Sequence, residues 1–260
     1  MVGDSLRAVK ALVLAAGYAT RLRPLTDTVP KQLLPVGGRP MVDWILDKIE
    51  EAGIEDVHLV TNARFAPQFG EWAENKGVVV HDDGTTSNDD RLGAIGDIRF
   101  VQELADIDDD LLVVAGDNLF DDSLSGYVEF WRVKGGSAVA VSDVGDRALA
   151  RKYGIVAVDG DDRVVGFVEK PEDPPSTLAA TATYLYRRED AARVPEYLDA
   201  GNPPDQPGNY VAWLHTRAPV YAYRFTGGWY DIGDPAQLLA ADNRLRERAG
   251  LPARDTYSLQ

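Results

Sequence analysis

Residues 8–36, AVKALVLAAGYATRLRPLTDTVPKQLLPV, decide how the rest of the chain is read. The apolar run over residues 8–15 predicts a first strand. It feeds a loop of small residues, Leu14-Ala15-Ala16-Gly17-Tyr18-Ala19-Thr20, and the cations Arg21 and Lys31 follow. A strand that opens into small residues lets backbone N–H groups approach phosphate oxygens without side-chain interference, and Arg21 and Lys31 supply the charge such a ligand needs. The loop is not a Walker A sequence, since the G-K-[ST] ending is missing, and it is not G-x-G-x-x-G. A Gly-Tyr-Ala turn alone reads as structural. Thr20-Arg21, Arg23-Pro24 and Pro30-Lys31 at their spacing turn that reading towards phosphate.

Working outward, the chain alternates short apolar runs with amphipathic stretches, as a mainly parallel sheet covered by helices requires. A helix is predicted over 41–52, with Val42, Ile45, Leu46 and Ile49 on one face and Gly53 as its stop. Strands follow over 57–61 and 78–81, separated by a helix over 65–75, and residues 92–102 read as helical to about Asp97. Residues 111–115, apolar on both faces, predict a central strand that ends in Gly116-Asp117-Asn118. The second half reads as strands over 138–141, 154–158, 164–169 and 180–186 with little helix between them. Gly160-Asp161-Asp162 signals a hairpin, and the proline-rich stretches 170–175 and 203–208 are stiff loops. Residues 235–249 predict a C-terminal helix and 255–260 a frayed tail. The expected fold is therefore α/β, a Rossmann-like three-layer arrangement with a mixed, mainly parallel sheet and a small second lobe. One domain is expected over 1–249, with halves at about 8–135 and 136–235, and a tail over 250–260.

Composition narrows the partners. At 260 residues with 45% hydrophobic and 27% charged side chains, the chain can bury a large core. Its net charge of −15 repels polyanions, so nucleic acid is not an expected partner, while a small anion held by local cations is compatible. There is no cysteine, which removes disulfides, thiolate nucleophiles and thiolate metal sites. His58, His81 and His215 are scattered, so no zinc cluster is expected. No apolar run approaches a membrane span, and residues 1–10 lack a signal-peptide core. A soluble, cytoplasmic protein with no membrane partner is the expectation, and a homo-oligomer is compatible with it.

The motifs resemble those of the sugar-phosphate nucleotidyltransferase superfamily, in particular the glucose-1-phosphate thymidylyl- and uridylyltransferase-like members. The first loop matches that family's signature, with Ala19 where a second glycine is usual. Alanine remains small enough for close phosphate approach, provided that a positive φ is not needed there. Gly116-Asp117-Asn118, Tyr153-Gly154-Ile155, Glu169-Lys170-Pro171 and Trp229-Tyr230-Asp231-Ile232-Gly233 carry the resemblance further along the chain.

The resemblance implies roles. Leu14, Ala15, Ala16, Gly17 and Thr20 would face the nucleotide, and Arg21 and Lys31 would hold its phosphates. Asp117 and Asp231 would bind Mg²⁺, for which hard oxygen ligands are suited. Glu169 would meet a sugar hydroxyl, Lys170 the sugar phosphate, and Gly154 and Trp229 the sugar. Thr86, Ser87, Asn88 and Gly93 occupy the region that reads the base in the family, although a glutamine common there is missing and Asn88 also reads as a helix N-cap. The acidic run 106–110 reads as a solvated loop.

The implied reaction condenses a nucleoside triphosphate (NTP) with a sugar 1-phosphate. Two alternatives stand beside it: a nucleotide-sugar-dependent glycosyltransferase and a non-catalytic nucleotide-sugar-binding regulatory protein. A further expectation is that Arg21, Lys31 and Lys170 make the pocket locally positive.

Overall fold

The computed structural model describes residues 8–259. Residues 1–7, where the absence of a signal-peptide core was read, and Gln260 at the end of the expected tail lie outside it. Strand β1 (Val9–Leu14) is central, pairing in parallel with both β4 (Val57–Thr61) and β6 (Asp110–Ala115). β5 (Val78–Asp82) extends the parallel set beyond β4. A short hairpin of β2 (Pro35–Val36) and β3 (Arg39–Pro40) leads into α1 (Met41–Glu51), and α2 (Ala66–Ala73) joins β4 to β5.

β1 shows why three layers form. Val9, Ala11 and Val13 face one apolar cluster and Leu12 and Leu14 the other, so the strand is buried on both sides. The first cluster gathers Met41, Val42, Ile45 and Ile49 of α1, Phe69 of α2, α4 (Leu124–Lys134) and α9 (Pro235–Arg248). The second gathers α3 (Ala94–Leu104), α7 (Val194–Asp199) and α8 (Gly208–Leu214).

The second half joins the same sheet. β11 (Leu178–Tyr186) pairs antiparallel with β6, and β8 (Ser137–Asp143) pairs antiparallel with β11. β12 (Val220–Phe225) runs parallel to β8. β9 (Gly154–Val158) and β10 (Val164–Glu169) form the expected hairpin at the sheet's end. A separate two-stranded ribbon of β7 (Asn118–Phe120) and β13 (Trp229–Asp231) crosses the carboxyl end of β6. Short helices α5 (Arg147–Ala150) and α6 (Arg188–Ala191) complete the connections.

Several expectations are corrected. α3 does not stop near Asp97 but runs to Leu104, because Ile95, Ile98 and Val101 bury one face at helical spacing. Nor does it begin at Asn88, since its N-cap is Gly93. The run 106–110 is tethered: Arg188 grips Asp108, Lys10 lies 3.4 Å from Asp109, and buried Asp110 accepts the Arg188 backbone N–H. The tail is anchored as well. The Arg254 N–H donates to Asn243 Oδ1 at 2.7 Å, and the Tyr257 hydroxyl donates to the Pro35 carbonyl at 2.8 Å.

Candidate active site

The ends of β1, β6, β10 and β13 converge on one cavity of about 670 Å³. Its lining includes Gly17, Arg21, Lys31, Asp117, Gly154, Glu169, Lys170, Trp229 and Asp231, nine of the residues singled out in the sequence, drawn from segments more than 200 residues apart. This is the carboxyl edge of the parallel strands, where open α/β sheets bind ligands.

Asp117 is held most firmly. Gly116 lets it approach, because a Cβ there would lie 2.9 Å from Gln32 Cγ and 3.0 Å from the Leu14 carbonyl oxygen. Lys31, only 6% exposed at the start of a 3-10 turn, donates to Asp117 Oδ2 at 2.7 Å. Trp229 Nε1 donates to Asn118 Oδ1 at 2.8 Å, and Asn118 Nδ2 donates to Asp117 Oδ1 at 3.0 Å. Burial pushes the Asp117 carboxyl up, but Lys31 and Asn118 outweigh it and hold the group below its usual range.

Asp231 arrives through the ribbon, where it pairs with Asn118. Its carboxyl shifts the other way: burial and the negative charge of Asp117 raise it, against the opposing pull of Lys31, Arg21 and Lys170. Two carboxylates that repel one another in a partly dry cleft, with oxygen as the only donor atom, fit a hard divalent cation such as Mg²⁺. No group of three or more His, Cys, Asp or Glu residues suited to a metal occurs among the described residues, so a cation here would draw its other ligands from substrate and water.

At the far wall, β10 ends in Glu169-Lys170. Gly154 sits opposite Glu169 in the hairpin, and a Cβ on it would come within 2.7 Å of Phe167 Cζ and 2.8 Å of Glu169 Oε2. Lys170 adopts φ 46°, its N–H donates to the Tyr153 carbonyl, and its ammonium lies 3.6 Å from Glu169. Such a half-exposed pair contributes less than about 1 kcal/mol, too little to account for a left-handed backbone at a lysine.

The first loop is reached from β1. Ala19 has φ 45°, so alanine stands where the backbone favours glycine, at an expected cost of about 1–2 kcal/mol. Buried Thr26 holds the turn by donating to the Ala19 carbonyl at 2.9 Å.

Other expected residues do not line the cavity. Thr20 is exposed beside it. Leu14, Ala15 and Ala16 form the loop's foundation, their carbonyls accepting from Gly116, Thr61 and Asn62. The Thr86 and Ser87 hydroxyls and N–H groups all donate to Asp90, whose carboxylate is held down to about 2 by them. Asn88 is exposed in the same turn. Gly93 (φ 80°) packs under Pro204, and the first amides of α3, on Ala94 and Ile95, donate to the Asp205 and Pro204 carbonyls. The pocket is also not net positive: Arg21, Lys31, Lys152 and Lys170 balance Asp117, Glu169, Asp231 and Asp234.

No role was read from the sequence for Gln32, Asn118, Lys152, Tyr153, Phe167, Tyr184, Gln206 and Gly208, all in the lining, although Asn118 and Tyr153 stand in its motifs. Tyr153 packs edge-on against Trp229, with ring centroids 4.9 Å apart. Tyr184 is buried, and burial followed by the Glu169 charge pushes its phenol well above the ordinary value.

The chain is similar to known proteins along most of its length. A family model described as nucleotidyl transferase matches residues 10–248. A UTP–glucose-1-phosphate uridylyltransferase from Synechocystis is 29% identical over 86% of this chain and 60% of its own length. A mannose-1-phosphate guanylyltransferase from Mycobacterium tuberculosis is 32% identical over 89% of this chain and 63% of its own length. The chain thus spans about three fifths of each of these relatives. A crystal structure of UDP-glucose pyrophosphorylase complexed with UDP-glucose superposes with a TM-score of 0.78 over 93% of this chain and 99% of that one, at 23% identity. That likeness establishes the Rossmann-like nucleotidyltransferase fold.

Proposed function

The chain belongs to the nucleotidyl transferase family, and from that premise we propose that it condenses an NTP with a sugar 1-phosphate, releasing pyrophosphate and forming an NDP-sugar. The observation that carries this reading is the convergence of Arg21, Lys31, Asp117, Asp231, Glu169 and Lys170 on one cavity. A nucleotide-sugar-dependent glycosyltransferase would also place carboxylates at the end of a central strand, but it has no need of Arg21 and Lys31 in the first loop.

A phosphate oxygen of the sugar 1-phosphate attacks the α-phosphorus as the bond to the departing pyrophosphate breaks. The nucleophile is already an anion, so alignment and charge neutralisation suffice. No Ser, Thr, His or Cys side chain lines the cavity among the described residues. Arg21 has no ion-pair partner within 4 Å among them and is available to the triphosphate. Lys31 neutralises phosphate charge, Lys170 aligns the attacking phosphate, and Glu169, with Tyr184 and Trp229 around it, receives the sugar hydroxyls. Asp117 and Asp231 would hold Mg²⁺, which would supply further neutralisation of phosphate charge.

The relatives act on different bases and sugars, so the pair used here is a matter for assay. The test is a panel of five NTPs against several sugar 1-phosphates and phosphocholine. Pyrophosphate is expected only when both partners are present. Release of a nucleoside diphosphate from a ready-made sugar nucleotide would favour the glycosyltransferase, and binding without turnover the regulatory protein. No helix among the described residues is long and apolar enough to cross a membrane. Both substrates are small molecules, and a cytoplasmic setting, where they are made and used, suits the proposal.

A further inference from the structure

A chain of polar groups, buried at Tyr18, Thr85 and Asp97 and half-buried at Asp83, links α3 to the first loop without entering the cavity. Asp83 Oδ1 accepts from Thr85 N and Thr85 Oγ1, each at 2.7 Å. Because the Thr85 proton is engaged there, the Tyr18 hydroxyl, 3.3 Å from Thr85 Oγ1, is the donor in that contact. Tyr18 is 6% exposed and lies between Gly17 and Ala19, both of which line the cavity. At the other end, the carboxyl of Asp97 in the first turn of α3, 5% exposed, is within hydrogen-bonding reach of Asp83. Asp83 Oδ2 and Asp97 Oδ1 are both buried and meet no N–H or O–H donor.

Two carboxyls that face each other through buried oxygens cannot readily both ionise, and one proton between them supplies the donor that both oxygens lack. We propose that Asp83 and Asp97 share a single proton and that this acid pair is a positioning device, anchoring the Gly17–Ala19 loop at the cavity through Thr85 and Tyr18. The surrounding charges agree. Burial, then the Asp83 charge, push Asp97 up to about 8. Burial also raises Asp83, with Asp82 and Asp90 reinforcing the rise and Thr85 opposing it. Arg64, on the loop after β4, acts on Tyr18, whose own hydroxyl is raised chiefly by burial. Above roughly pH 8 the shared proton leaves, the carboxylates repel, and the anchor loosens.

The nucleotide arm of the test rests on the proposed function; the other arms do not. Amide exchange at Thr85 is compared between the wild type and Asp97→Asn at matched pH, together with the Kd of each of the five NTPs. The asparagine donates to Asp83 at every pH. At roughly pH 9.5 the wild-type Thr85 amide should exchange about tenfold faster than the variant's, and at roughly pH 6 equally fast. NTP Kd should rise about tenfold over the same range in the wild type alone. A ¹³C carboxyl titration of wild-type Asp97 gives the same answer should the variant fold poorly. A midpoint near 8 supports the shared proton, and an ordinary midpoint near 4 overturns it. Identical Thr85 exchange in both proteins at every pH also overturns it. If no triphosphate binds at any pH, the proposed function falls, and the exchange and titration arms decide the acid pair alone.

Discussion

The cavity floor and the turn at residues 86–93 both carry polar side chains near the end of the first strand, but they are satisfied in opposite ways. On the floor, Lys31, Asn118 and Trp229 orient Asp117, and Asp231 is left in a site where its charge is disfavoured. In the turn, Asp90 takes the hydroxyls and amides of Thr86 and Ser87, and the Pro204 and Asp205 carbonyls take the first amides of α3. The floor keeps unmet electrostatic demand that a ligand can answer; the turn has met its own. Perturbed groups that converge in a cleft mark function more reliably than polar residues that close upon one another.

The largest expected effect lies on the floor. Asp117→Asn should lower turnover for every substrate pair by roughly two to three orders of magnitude, the loss seen when one preorganised charge-stabilising group is removed. Glu169→Gln should act on one substrate only, raising the KM for the sugar 1-phosphate while leaving NTP affinity measured without sugar nearly intact. Matching thermal melts would show that both near-isosteric variants fold. An Asp117→Asn enzyme with near-full activity would erase the distinction drawn here.

The smallest effect is expected in the turn. Thr86→Ala combined with Asn88→Ala removes exposed side chains while Asp90 keeps the backbone amides, so stability should change by less than about 0.5 kcal/mol. The relative use of the five NTPs should stay within about twofold. A reordered preference would mean that the turn opens onto the base, and would bring it into the same class as the floor.

What could be read from the sequence follows the same division. Arg21 and Lys31 stand out by their spacing from the small-residue loop after the first strand, and Asp117, Glu169, Lys170 and Asp231 by the motifs that resemble the nucleotidyltransferase family. Tyr184 was hidden by a bulge: the pairing of β11 with β8 shifts between Ala180 and Tyr184, and Ala182 adopts φ 52°. Strict alternation therefore cannot say which way Tyr184 points. Helix α4 was legible but passed over. Ser123 caps its start, Gly135 ends it in a left-handed conformation, and Leu124, Tyr127, Val128 and Trp131 form its buried stripe. The Asp83–Asp97 pair gives no local signal, since the two residues come from different elements and meet only in the fold.

The most direct test of the central claim is exchange of labelled pyrophosphate into the NTP. A cavity that aligns two substrates for direct displacement, with no enzyme nucleophile, should catalyse exchange only when the sugar 1-phosphate or the NDP-sugar is also present. Exchange with the NTP alone would reveal a nucleotidyl-enzyme intermediate and contradict the one-step account. No exchange with any combination of substrates would contradict nucleotidyl transfer itself.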